Sequence, residues 1–112
     1  MENTSRGRIN DYIERHRHLL VDPVLEVGSR LTHDTATWAL YRGKDNEKWI
    51  GIDMQGGCNV DIVMDVEALT FEDDTFNACL CSEVFEHVAH PAVALREIYR
   101  VLEKGGNVLI TT

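Results

Sequence analysis

Apolar positions in the first twenty residues recur at steps of three and four. Ile9, Tyr12, Ile13, His16, Leu19 and Leu20 fall on one face of a helix predicted over residues 6–20, with Ser5 as its N-cap. Asp22-Pro23 ends it, because proline has no amide donor and restricts the residue before it. The period then changes. Val24-Leu25-Glu26-Val27 is short and largely apolar and runs into Gly28, the pattern of a buried strand entering a turn. Trp49-Ile50-Gly51-Ile52 repeats it, ends on Asp53 and continues into a glycine-rich connection, Met54 to Asn59. Residues 60–64 make a third strand ending on Asp65, and 76–81 a fourth. Residues 92–102 return to helical spacing through Val93, Ile98, Val101 and Leu102; Gly105-Gly106 stops the helix, and 107–111 form a fifth strand. Between Ser29 and Lys48 the pattern is weaker: Trp38, Leu40 and Tyr41 suggest a short helix, and Gly43 to Asn46 a loop.

Strands that read as continuous apolar runs, alternating with helices, imply a parallel sheet covered on both faces. The expected class is therefore α/β: a Rossmann-like, doubly wound, mostly parallel sheet of about five strands. At 112 residues, 44% apolar and 27% charged, the chain is expected to form one domain, with residues 1–22 as an N-terminal helical segment and 23–112 as the core.

The formal charge of -8 repels a nucleic-acid backbone unless basic groups gather on one face. The N-terminal set Arg6, Arg8, Arg15, His16, Arg17 and His18 is interrupted by Asp11 and Glu14 and reads as solvated helix surface, so no nucleic-acid partner is expected. The absence of a signal-type apolar run in residues 1–10, and of any membrane-length apolar stretch, makes a cytoplasmic location without a membrane span the expectation. Of the three cysteines, Cys79 and Cys81 would point to one face of the fourth strand. Without CxxC or Cys/His spacing they read as reduced, partly buried thiols, and no metal is expected.

In a doubly wound sheet a ligand lies beyond the carboxyl ends of the strands. Here those ends carry Glu26-Val27-Gly28-Ser29, Asp53-Met54, Asp65-Val66 and Ser82-Glu83. A glycine such as Gly28 lets backbone approach a ligand closely, and a carboxylate after the second strand can accept both hydroxyl protons of a ribose. The competing reading of Asp53 is a turn aspartate bonded to local backbone. The turn lacks the further glycines of a pyrophosphate site and follows an acidic residue. That suits a ligand carrying an ammonium and a sulfonium better than a dinucleotide.

The run Val24-Leu25-Glu26-Val27-Gly28-Ser29 resembles motif I of the class I S-adenosylmethionine-dependent methyltransferases, and Gly51-Ile52-Asp53 their acidic motif after the second strand. Asp65-Val66-Glu67-Ala68-Leu69 with Phe71, Asp73 and Phe76 is similar to the third motif, and Ser82-Glu83-Val84-Phe85-Glu86-His87-Val88 to the fourth-strand signature. Leu95 to Leu102 leading to Gly105-Gly106 resembles the helix and glycine pair before strand five. In this order and spacing, over about residues 24–112, the motifs point to the type 11-like methyltransferases. The resemblance implies S-adenosylmethionine as cofactor. Glu26, Gly28 and Ser29 would border its methionine part, Asp53 the ribose hydroxyls, Met54 the adenine, and Asp65 with the Val66 backbone the adenine amino group. Ser82 and Glu83 would lie beside the sulfonium, the alternative being a helix N-cap and a first-turn carboxylate. His87 is the candidate proton acceptor, the alternative being packing and hydrogen bonding behind the site. The implied acceptor is a small molecule, glycan or lipid.

Three departures from the family pattern stand out: Arg30-Leu31-Thr32 where more glycines are usual, Asn77 where aspartate is usual, and Glu103-Lys104 before the glycine pair. The family's sheet usually continues past strand five, so the chain reads as truncated there and would leave an apolar edge: either it is a fragment, or a second copy in a homodimer covers that edge. The alternatives to a methyltransferase are a non-catalytic module that keeps the cofactor fold, and a dinucleotide-dependent oxidoreductase.

Overall fold

A computed structural model describes residues 5–31 and 48–112. Its elements are helix α1 (Ser5–His16) with a 3-10 turn (Arg17–Leu19), strands β1 (Val24–Val27), β2 (Trp49–Asp53), β3 (Ile62–Val63) and β4 (Phe76–Ser82), a 3-10 turn (Phe85–His87), helix α2 (Pro91–Val101) and strand β5 (Leu102–Thr111). The short helix and loop expected around Trp38 and Gly43 lie outside the described residues.

The strands form one parallel sheet in the order β3-β2-β1-β4-β5. Successive side chains alternate across a strand, and the apolar residues divide accordingly. Leu25 and Val27 of β1 and Cys79 and Cys81 of β4 pack under α2 with Ala94, Ile98 and Val101. Val24, Ala78 and Leu80 face the other way, with Ile13 of α1, Trp49 and Leu109. Both helices thus bury one stripe, on opposite faces of the sheet, as a doubly wound fold requires.

Burial also sets the chemistry of the thiols. Cys79 and Cys81 are both free, and burial, the largest cause, pushes both up; Cys81 reaches about 12, and the charge of Glu26 adds to the rise at Cys79.

Four local features differ from the sequence reading. The α-helix of α1 closes at His16, whose Nδ1 donates to the Tyr12 carbonyl at 2.8 Å; the chain tightens into the 3-10 turn there. Ser5 is the first residue of the helix rather than a preceding cap. Strand β3 is only Ile62–Val63. Before it, the Asp61 carboxylate accepts the Gly51 amide at 2.7 Å, so a side chain stands where a ladder carbonyl would. Helix α2 starts at Pro91, where the missing amide costs nothing, and ends at Val101. Leu102 is already extended, and Gly105-Gly106 lies inside β5 instead of ending the helix.

The glycine pair belongs to an irregularity. The amides of Asn77 and Ala78 both point to the Pro23 carbonyl, at 2.8 and 3.4 Å, the mark of a bulge. Across the β4–β5 pair, residues 103–106 spread out opposite Asn77. One extra residue reverses the alternation, which is why Phe76 packs on the same side as Cys79. Gly105 adopts φ +81° in this excursion, and a Cβ on Gly106 would stand 2.9 Å from the Asn77 carbonyl oxygen.

Candidate functional site

The sheet runs outward in two directions from β1 and β4, so their carboxyl ends open a crevice. Gly28 turns the chain at the tip of β1 with φ +71°. Its amide and that of Ser29 both donate to the Ile52 carbonyl, at 2.9 and 3.0 Å, which folds the turn onto β2. A Cβ at position 28 would lie 2.5 Å from Val84 Cγ2, so glycine is what lets the turn and the segment after β4 meet.

A cavity of about 750 Å³ occupies the crevice, a volume ordinary for a small-molecule site. Of the residues expected to hold the cofactor, Gly28, Asp53, Met54, Asp65 and Val66 line it, as does His87. Asp53 accepts the Gln55 amide on Oδ1 at 3.0 Å and the Arg30 amide on Oδ2 at 3.1 Å. The turn role thus coexists with the site role: each oxygen keeps a second acceptor direction, and the carboxylate is only partly buried. Asp65 repeats the arrangement, with the Glu67 amide on Oδ1 at 2.8 Å and the Ala68 amide on its carbonyl at 3.0 Å.

The other expected residues are placed elsewhere. Ser29 is 1% exposed and donates to the Asn59 carbonyl at 2.7 Å, while the Asn59 amide donates to the Ser29 carbonyl at 2.9 Å and to Glu26 at 3.4 Å. Glu26 is 2% exposed. These two side chains therefore brace the base of the turn and do not line the cavity. Gly51 makes room for this knot: a Cβ there would meet Ser29 Oγ at 2.5 Å and the Asn59 carbonyl at 2.6 Å.

Ser82 shares a hydrogen bond of 2.7 Å with Thr111 Oγ1 at the end of β5. Glu83, at φ +57°, gives its amide to the Thr111 carbonyl at 2.9 Å, and its Oε2 is buried without a hydrogen-bond partner among the described residues. It faces a second cavity of about 350 Å³ with Tyr12 and Thr111. The helix-cap reading of these two residues is not what the structure shows. The turn that follows has Val84 at its cap position with no side-chain bond, and α2 begins only after His90.

Among the residues to which the sequence assigned no site role, Arg30, Glu67, Val88 and Ala89 also reach the main cavity. Arg30 stands where the family has glycine, and its side chain runs beside Gly57, whose missing Cβ would lie 2.9 Å from Arg30 Nε. Glu67 was visible only as the third letter of a motif. The wall at the ends of β2 and β3 thus carries Asp53, Asp65 and Glu67, with Arg30 the one guanidinium among the described residues that line the cavity.

Behind that wall the chain between β3 and β4 is tied to α2. Glu97 accepts the Leu69 amide at 2.9 Å, and Arg100 donates to the Leu69 and Phe71 carbonyls at 2.9 and 2.8 Å and pairs with Asp73 at 2.8 Å. The hydrogen bond from Arg100 holds Glu97 below the ordinary carboxylate value, and the same contact with Glu97 raises Arg100. No group of three metal-ligating side chains occurs among the described residues.

Fold and cavity together define a doubly wound domain with a carboxylate-rimmed crevice at its switch point. The chain belongs to the methyltransferase domain family, whose model matches residues 25–110, and the cofactor of that family is S-adenosylmethionine. The ubiquinone/menaquinone biosynthesis C-methyltransferase UbiE of Neisseria meningitidis is 29% identical over 102 residues, covering 80% of this chain and 42% of the relative. A Bacillus halodurans protein assigned to the methyltransferases is 32% identical, over 78% of this chain and 38% of its own, with a TM-score of 0.58. Two further structures share the fold at 23% identity. YcgJ of Bacillus subtilis has a TM-score of 0.71 over 90% of this chain and 50% of its own, and the [4+2]-cyclase SpnF 0.69 over 92% and 43%. The chain therefore spans about two-fifths of the length of the curated relatives it matches.

The residues at the crevice suit the family's cofactor. Asp53 keeps acceptor capacity for a diol, Asp65 keeps its Oδ2 for an amino group, and Ile52, Met64, Val66 and Val88 give the cavity apolar walls for a purine.

Proposed function

We propose that the crevice at the ends of β1, β2 and β3 binds S-adenosylmethionine and that the chain is the cofactor-holding half of a methyltransferase. The observation that carries this is the convergence of Gly28, Asp53 and Asp65, from three strand ends, on one cavity. The cofactor supplies an electrophilic methyl group on a sulfonium; the rest falls to the chain. Asp53 accepts the ribose hydroxyl protons. Asp65 Oδ2 accepts from the adenine amino group while its Oδ1 stays on the Glu67 amide, and the Val66 amide donates to the ring. Met54, two-thirds exposed, covers the adenine. Gly28 and Val84, which meet at the tip of β1 and both line the cavity, border the methionine part. Glu26 and Ser29 act indirectly, by holding the turn through Asn59.

On the acceptor side, Glu83 and His87 flank the segment that follows β4, and methyl transfer depends chiefly on aligning a nucleophile with the sulfonium. The acceptor is a small molecule, glycan or lipid, and the protein works in the cytoplasm. No helix among the described residues is long and apolar enough to cross a membrane. Amide chemical-shift mapping with S-adenosylmethionine tests the placement. Gly28, Gln55 and Val66 are expected to shift, with Lys104 and Gly105 at the far end of the sheet unmoved; shifts confined to the far end would overturn it.

A further inference from the structure

The cavity wall that carries Asp65 continues into Glu67, and the opposite lip is formed by the segment leading into α2, where Val88 and Ala89 line the same cavity. One contact joins the two sides. Glu67 Oε1 lies 2.9 Å from His90 Nδ1, and the His90 amide donates to Glu67 Oε2 at 3.2 Å. A carboxylate only accepts, so Nδ1 carries the proton, and it does so both in one neutral tautomer and in the imidazolium. The histidine side chain caps no helix backbone, so the helix does not need it for its own hydrogen bonds.

The contact is also the end of a chain. Asp65 Oδ1 holds the Glu67 amide, and the Glu67 carboxylate holds His90 by two hydrogen bonds. The orientation of the carboxylate facing the cavity is thereby tied to the first residues of α2. This tie is separate from the rear fastening, where Glu97 and Arg100 hold Leu69, Phe71 and Asp73.

We propose that Glu67 and His90 are positioning residues that clasp the rim of the cofactor cavity, fixing Asp65 and the Val66 backbone for the adenine ring. The inference rests on the S-adenosylmethionine reading of the cavity. Neither residue need touch the ligand. They hold the wall in its binding shape before the ligand arrives, so that less ordering remains to be done on association. Losing the clasp leaves Asp65 held by the β2 ladder through Met64 on one side and by the rear fastening at Leu69 on the other, with the Val66–Glu67 stretch between them no longer tied to α2.

The test compares wild type with His90→Ala, His90→Asn and Glu67→Gln in two measurements on the full chain. Hydrogen exchange of the ligand-free protein reads the clasp directly. His90→Ala is expected to speed exchange of the Glu67 amide while leaving the Leu69 amide, held by Glu97, unchanged. S-adenosylhomocysteine titration reads its consequence: a loss of about fivefold in affinity for His90→Ala and Glu67→Gln, the scale of one part-exposed charged contact. Asparagine places an amide N–H where Nδ1 stood, so His90→Asn is expected to restore both readouts. Unchanged Glu67 exchange in His90→Ala, equal loosening of Leu69, or failure of His90→Asn to restore would overturn the clasp. If wild type itself does not bind S-adenosylhomocysteine, the cofactor reading falls instead, and the exchange data still decide the clasp.

Discussion

Replacing Gly28 by alanine tests whether the turn after β1 is built as described. Two costs add. At φ +71° an alanine sits in the left-handed region, which costs about 1–2 kcal/mol for a residue with a Cβ. The new Cβ would also stand 2.5 Å from Val84 Cγ2, against an ordinary contact of 3.4 Å or more, so Val84 must move by roughly 1 Å or leave its rotamer, at about 0.5–1.5 kcal/mol. The sum, about 1.5–3.5 kcal/mol, corresponds to a fall of roughly 6–25 °C in Tm for a domain of this size. Val84 packs against the core under α2, so the cost is expected in global stability as well as in the cavity. Gly56→Ala is the internal control. Among the described residues its Cβ would meet only Val63 Cγ2, at 3.6 Å, so a change within about 0.5 kcal/mol is expected. Adding Val84→Ala to Gly28→Ala should recover the contact part of the loss, seen as a coupling of about 1 kcal/mol in a double-mutant cycle. Thermal melts and S-adenosylhomocysteine titration of wild type, Gly28→Ala, Val84→Ala, the double variant and Gly56→Ala provide the readout. Equal Tm values for Gly28→Ala and Gly56→Ala would refute the reasoning, and zero coupling with Val84 would refute the contact.

Other consequences follow from charge and burial. A thiol reagent should titrate Cys58 alone quickly in the native state, and Cys79 and Cys81 only on unfolding; three fast thiols would contradict the core. The raised thiols stabilise the fold below their unfolded value of 9.0 and lose that contribution as pH climbs toward about 12. Cys81→Ala should therefore flatten the alkaline limb of a pH–stability curve by about 1.4 kcal/mol per pH unit in that window. Glu97 acts in the opposite sense: its stabilising contribution is present above its ordinary value of 4.5 and disappears as pH falls through its lowered native value. An Arg100→Gln variant should lose this acid-sensitive component in the same melts. At the β5 edge, where Val108 is exposed, light scattering should report a dimer if a second copy covers the strand, and a monomer at high concentration would remove that pairing.

The strands and the two helices were legible because their apolar periods are clean and their ends carry glycine, proline or aspartate. What the sequence could not carry was side-chain competition with backbone. Asp61 shortened β3 by supplying the acceptor for Gly51, and His16 ended α1 through the Tyr12 carbonyl. The bulge at Asn77 moved Gly105-Gly106 from a helix stop into a strand, since two amides sharing the Pro23 carbonyl is a tertiary event. At the site, strand-end position identified Asp53 and Asp65 but could not tell outward from inward side chains. Glu26 and Ser29 share motif I with Gly28 yet turn into the knot around Asn59, whose role no spacing announces. His90 had no visible partner because Glu67 lies 23 positions away.

The central claim, that the crevice holds S-adenosylmethionine, is tested most directly by calorimetric titration of the chain with S-adenosylhomocysteine beside Asp53→Ala. Saturable one-to-one binding by the wild type is expected. The variant should be weaker by about 10–100-fold, the scale of losing one or two hydrogen bonds to a carboxylate. Absence of binding by a folded wild-type chain, or equal affinity for the two proteins, would contradict it.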